Sequence, residues 1–322
     1  TEWDNDSNGD PDGYFLVTNA GTLSEQLNKA FKEITARSSA SSSAVAANST
    51  KLSTDTQLFQ ARFNSTSWTG QLVSLQLKTS GTTLSATEVW DAADEIPTES
   101  SRNIFSYKPD LADPTASIGI EFKYANLSST QQAALNKDAK GTTDTSGSDR
   151  VNYIRGDQSK EDSKTSGIFR ERESLLGDIV NSTPIYSGPT DTFGYDRSLS
   201  GTEASSYLSF RKTKLTRKPV VYFGANDGML HAIHAAEKQT DGGGDELFSY
   251  IPNTLINKLS LLTSPFYGCT NDSNCIPHSY YVDGATVVGD AYVTPSGMSS
   301  EWRTILLGTA GRGGKGLFAL NV

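Results

Sequence analysis

The sequence predicts a mainly β protein built as an array of blades, a β-propeller or a close relative of one. From about residue 57 onward, short β-patterned runs alternate with turns of Gly, Asn, Asp and Pro. A unit of strand, Gly-rich turn and strand also occurs twice, as "VVYFGANDGMLHAIHA" and "TILLGTAGRGGKGLFALNV". A related strand precedes each unit, "VNSTPIYSG" in one case and "ATVVGDAYV" in the other. Strand pairs too small to bury their own apolar face must stack on neighbours, and a repeat of such pairs is the mark of a propeller. A β-sandwich is the rival architecture.

The elements follow in order. The acidic stretch "DNDSNGDPD" leads into the strand pattern "YFLVTN". In "TLSEQLNKAFKEITA", Leu23, Leu27, Ala30, Phe31 and Ile34 form an apolar stripe at helical spacing. Thr22 and Glu25 supply a capping box at its start. The next run, "RSSASSSAVAANSTKLSTD", is small and polar, a linker composition. The chain therefore divides into residues 1–36, a Ser/Ala-rich linker at 37–56 and a β domain at 57–322. Strands are expected at "LFQARFN", "GQLVSLQL", "NIFSY", "STPIYSG", "PVVYFGA", "MLHAIHA", "LFSYIP", "ATVVGDAYV", "RTILLGT" and "GLFALNV". Almost no helical periodicity is evident among them. The turn "ANDGM" predicts a hairpin of type I′ through Asn226, Asp227 and Gly228, with Tyr222 and Leu230 on its paired strands.

A net charge of −9 over 322 residues argues against a sequence-independent grip on nucleic-acid phosphates. No run approaches the ~18 apolar residues of a membrane span, and no apolar leader precedes Thr1. The start in a polar loop and the stop on a strand read as a piece of a longer chain.

Cys269 and Cys275 flank five turn-forming residues, so a local disulfide is expected, and with it an oxidising, extracytoplasmic compartment. Zinc would need two further ligands at suitable spacing, and no Cys or His pair supplies them. His231 and His234 lie three apart on a strand and point to opposite faces, so they cannot share an ion. "GRGGKG" fits a dinucleotide pattern, but a strand follows it where a helix is needed, which excludes nucleotide binding. No nucleophile elbow or Cys-His pairing stands out. Asp178, Asp283 and Asp290 read as turn and cap residues. Arg155-Gly156-Asp157, in "YIRGDQS", is a tripeptide recognised by integrins on exposed loops, and the alternative is a plain loop entering a strand.

The opening stretch fits an EF-hand-type calcium loop at Asp4, Asp6, Asn8, Asp10 and Asp12, with Gly9 at the turn. Position 12 is Phe15 in place of a bidentate Glu, so calcium and a solvated acidic loop stay open as alternatives.

Taken in order, "LFQARFNSTSWTGQL", "RNIFSY", "YIRGD", "FRERESLLGDIVNSTPIYSGP", "VVYFGANDGMLHAIHAA", "FSYIPNTLI", "YYVDGATVVGDAYV" and "WRTILLGTAGRGGKGLFALNV" resemble the PilC/PilY family of type IV pilus tip-associated adhesins. Residues 1–36 resemble the final strand and helix of a von Willebrand A-type domain. The resemblance implies a modified, quinoprotein-like β-propeller, non-enzymatic, at the pilus tip or outer surface and reached through the periplasm. It implies adhesion and control of pilus assembly and retraction, with minor pilins, tip components and abiotic or host-cell surfaces as partners. It also links Arg155-Gly156-Asp157 to integrin and the family to calcium. The enzyme alternative is a quinone-dependent dehydrogenase, whose adjacent cysteine pair is missing here. A generic extracellular binding propeller is the other alternative.

Overall fold

The computed structural model describes residues 40–47, 57–80, 83–110, 112–113, 116–269, 273–295 and 298–322. The acidic loop and the helix expected within residues 1–36 lie outside these. Strand β1 (Ala40–Ala47) falls inside the stretch read as a linker, so that stretch contains a strand. It heads a sheet in the order β1-β2-β3-β4, with β2 at Gln57–Asn64, β3 at Thr69–Ser80 and β4 at Thr83–Asp91.

The second sheet is built around a meander of β7 (Ile185–Ser187), β8 (Val220–Gly224), β9 (Leu230–His234) and β10 (Glu246–Ile251), each antiparallel to the next. β5 (Ile104–Lys108) adds to β10 in parallel, and β6 (Ile118–Glu121) pairs antiparallel with β5. The third sheet is the antiparallel set β11 (Thr286–Val293), β12 (Glu301–Thr309) and β13 (Leu317–Asn321). β7-β8-β9 and β11-β12-β13 are thus the two copies of the unit that the sequence repeats.

All five residues of β8 are buried. This follows from its unbroken apolar run, since a strand covered on both faces has no need to alternate. Val221 and Phe223 face a core shared with Phe59, Leu72 and Trp90 of the first sheet. Val220 and Tyr222 face a core shared with Val288 and Leu306 of the third. The sheets therefore stack as successive layers with the second in the middle. Gly70 permits one close approach: its N–H donates to the Leu176 carbonyl at 2.9 Å, and a Cβ there would run into the Gly177 carbonyl.

Two sequence expectations need correction. The hairpin forms, with Tyr222 opposite Ala232 and Gly224 opposite Leu230. Its turn is not type I′, because only Gly228 has positive φ (99°) and Asn226 and Asp227 do not. The Ala225 N–H reaches the Met229 carbonyl at 2.9 Å, closing a three-residue loop that ends on a left-handed glycine. Helices are also more common than the sequence suggested: α1 (Ser129–Leu135), α2 (Gly147–Arg155), α3 (Tyr195–Ser198), α4 (Gly201–Lys214) and α5 (Leu259–Leu262). Of these, α1 carried a readable signal, the capping box of Ser128 and Gln131.

Candidate functional site

The turn between β8 and β9 gathers a cluster of buried charge, Arg102, Asp178, His231 and Glu246. His231 is fully buried, with Nδ1 2.9 Å from the Glu246 carboxylate and Nε2 3.0 Å from Asp227. Arg102 grips Glu246 in a forked pair, donating from Nε at 2.6 Å and from Nη2 at 2.8 Å. Ser249 also donates to Glu246. Burial alone would lower the His231 pKa, but Asp227 and Glu246 outweigh it and raise the group to about 9. Burial would raise Glu246, and Arg102 and His231 hold it well below the usual carboxylate range. His234, on the other face, is lowered by burial and by the charge of Lys218.

The turn residues also work as clamps. Asp227 accepts from the Gly177 N–H at 3.0 Å and from the Met229 N–H at 3.1 Å. Asn226 donates to Asp178 at 2.7 Å and accepts from the Tyr281 N–H at 2.9 Å, tying the middle sheet to the segment leading into β11. His278 lies 3.0 Å from Asp178, and the Trp68 ring stacks on it with centroids 3.7 Å apart. Trp68 also donates from its indole N–H to Gly268 at 3.2 Å, so the tip of the β2-β3 hairpin rests beside the cysteine loop. A cavity of about 20 Å³ lined by Trp68, Arg170, Asp178 and Asp227 has room for about one water.

The sequence-predicted residues fall in separate places. Asp178, Asp283 and Asp290 are buried clamps across elements, which corrects the reading of them as turn residues. Asp283 accepts from the Asn181 backbone and side chain at 3.1 and 2.7 Å. Asp290 pairs with Lys214 at 2.8 Å. Cys269 and Cys275 are joined as a disulfide, with Cα atoms 5.6 Å apart. "GRGGKG" forms a short 3-10 turn at Gly311–Gly313 and then enters β13, with no helix after it.

Arg155-Gly156-Asp157 is not an exposed loop. Arg155 is the last residue of α2 and only 2 % exposed, and its guanidinium holds Glu99 at 2.8 Å and donates to the Glu99, Arg102 and Phe122 carbonyls. Gly156 is the left-handed cap of that helix, at φ 117°. The Asp157 side chain accepts from the Ser159 N–H at 2.8 Å. An integrin needs a free guanidinium, and this one is consumed inside the fold.

Asp4, Asp6, Asn8, Asp10 and Asp12 lie outside the described residues. Among the described residues, no group of three or more His, Cys, Asp or Glu is placed to hold a metal ion. No helix among them is long and apolar enough to cross a membrane. The buried network missed by sequence reasoning joins Arg102, Asp227, His231 and Glu246. Its local signal was slight: His231 stands inside an apolar strand pattern, whereas Arg102 and Asp227 lie outside the strands.

Residues 176–322 match the family model described as the PilY1 beta-propeller domain. Over 97% of its length the chain is 34% identical to a type IV pilus biogenesis factor PilY1 homolog of Xylella fastidiosa, covering 22% of that protein. It is 36% identical over 79% of its length to the type IV pilus biogenesis factor PilY1 of Pseudomonas aeruginosa strain PAK, covering 20% of it. It is 31% identical over 96% of its length to the same factor of strain UCBPP-PA14, covering 25%. The chain thus spans a fifth to a quarter of these relatives. No solved structure matches it. With its repeated three-strand units stacked as layers, the segment from residue 176 to residue 322 belongs to the PilY1 β-propeller family.

Proposed function

We propose that this chain is part of a non-enzymatic factor that supports type IV pilus assembly and the control of retraction, displayed at the pilus tip or outer surface. The observation that carries the reading is its 34% identity, over 97% of its length, to a protein named for type IV pilus biogenesis. Minor pilins and other tip components are the partners it implies inside the pilus, and abiotic or host-cell surfaces are those outside. The disulfide supports passage through an oxidising compartment such as the periplasm. A non-enzymatic role fits the chemistry of the turn cluster, where Asp178, Asp227, Glu246 and His231 are all held by internal partners. Calcium at Asp4–Asp12 belongs to the same proposal, as a weak brace more than a signal. Integrin binding through Arg155 does not, given the burial of its side chain.

Deleting the gene and restoring it on a plasmid, with surface pili and twitching scored in each strain, tests the reading. Loss and restoration of both are expected. Unchanged pili and twitching in the deletion strain would leave a generic extracellular binding propeller. A quinone absorbance band in the purified protein would instead favour the dehydrogenase-like alternative.

A further inference from the structure

Helix α4 sits in the connection between β7 and β8, whereas the equivalent connection between β11 and β12 spans only residues 294–300. The helix is therefore an addition that the strand pairing does not require. It is nevertheless pinned with care. Lys214 at its end pairs with Asp290 of β11 at 2.8 Å, with the two side chains 2 % and 0 % exposed. Tyr207 from its middle and Thr304 of β12 donate to the same carboxylate at 2.7 and 2.8 Å. A buried ion pair adds little net stability over apolar packing, but breaking it is costly, so it fixes one orientation of the helix.

This anchoring frames an open cleft of about 340 Å³ between the start of α4 and the far end of β11 and β12, lined by Leu199, Thr202, Glu203, Ser206, Tyr292 and Trp302. Its volume lies within the ~300–1,000 Å³ range of small-molecule sites. Tyr292 and Trp302 are direct cross-strand partners with ring centroids 5.4 Å apart. Trp302 is held in place by Tyr207 at 4.7 Å and by its indole N–H donating to Ser206 at 2.9 Å. Two features leave this cleft open to a ligand. Tyr292 is 58% exposed. The Glu203 carboxylate and the Thr202 hydroxyl have no hydrogen bond or ion pair among the described residues.

We propose that this cleft binds the ring of a neutral pyranose sugar. A pyranose has an apolar C–H face and a rim of hydroxyls, so it calls for an aromatic platform edged by polar acceptors. Tyr292 supplies the platform with Trp302 as its side wall, Glu203 accepts from ring hydroxyls, and Thr202 adds a further polar edge. The unpaired carboxylate, on a chain of net charge −9, selects against acidic sugars. A quaternary ammonium ligand would need aromatic faces on several sides, and the remaining walls are Leu199, Thr202 and Ser206. This assignment deepens the surface-contact part of the proposed function and rests on it.

The test is a saturation-transfer NMR titration of the whole chain with the methyl glycosides of glucose, galactose and mannose. The methyl glycoside of N-acetylneuraminic acid and tetramethylammonium are run beside them. Binding of at least one neutral glycoside is expected, weakened about tenfold or more in Tyr292→Ala, retained in Tyr292→Phe and weakened in Glu203→Gln. Melting curves of each variant separate loss of binding from loss of fold, and Tyr292→Phe keeps the comparison valid if Tyr292→Ala fails to fold. Failure of all three neutral glycosides, equal binding by Tyr292→Ala, or binding of tetramethylammonium or the acidic glycoside alone would overturn the proposal. A negative titration beside a gene deletion that does lose its pili removes the sugar site alone, whereas unchanged pili in the gene deletion removes the pilus reading.

Discussion

Arg155 shows how a single side chain can look like a recognition element and act as a brace. Three backbone carbonyls and Glu99 converge on it, so Arg155→Ala should destabilise the fold by about 3 kcal/mol, the scale of a broken buried pair. Asp157→Ala, which loses one exposed contact, should cost well under half of that. Equal melting temperatures for the two variants would count against this assignment. His231 gives a pH dependence whose sign is fixed. Its folded-state pKa is raised from 6.5 to about 9, so the stability it contributes is complete below about pH 6.5 and is lost as pH rises through about 9. Glu246 is depressed below 4.5, so its contribution is present above that value and drains as pH falls. The melting temperature of the wild type should decline between about pH 7 and pH 9 more steeply than that of His231→Gln, and parallel slopes would contradict the assignment.

The β8-β9 hairpin was legible in the sequence because an apolar run, a Gly-containing turn and a second apolar run leave few other ways to pair. The turn type was not legible, because Asn226 and Asp227 are committed to partners far away in sequence, Tyr281 and Gly177. The missed helices have different causes: α2 buries six of its nine residues, Arg150 and Arg155 among them, and so shows no clean apolar stripe, whereas α4 buries only Tyr207 and Lys214. The sugar cleft stayed hidden too, since Glu203 and Tyr292 are brought together only by the fold. Gly228, at φ 99°, tests the hairpin. Gly228→Val should lower stability by about 2 kcal/mol or more, because a β-branched residue resists positive φ and its side chain would press on Leu259. Gly228→Asn should be milder. A melting temperature unchanged by the valine would show that the turn relaxes freely.

Across the molecule, layers stack so that the middle sheet is apolar on both faces, and this was visible as the strand repeat. What the repeat could not reveal is how much of the glue is polar. The Arg102–Glu246 and Lys214–Asp290 pairs join segments distant in sequence, and such pairs leave no local pattern. The acidic loop belongs to this scale as well, since a cation there would restrain the strand pattern that begins at Tyr14. Calorimetry should show weak calcium binding, nearer ~10⁻⁴ M than the affinity of sensor EF-hands, and its loss in an Asp4→Ala/Asp6→Ala variant. Equal heats from the two proteins would mark the loop as a solvated connector.

The parallel pairing of β5 with β10 also constrains how the protein is made. Ser106 bonds to Ile251 across 145 positions, so during synthesis the β5-β6 hairpin emerges long before its partner strand exists. Throughout that interval β5 presents an open edge, with unpaired N–H and C=O groups ready to join any other extended chain. This edge is a natural place for misassembly to begin and for a folding helper to bind. Ordering of the outer rim of the middle sheet is therefore a late event, set by the arrival of Glu246–Ile251 and not by the strength of the hairpin itself.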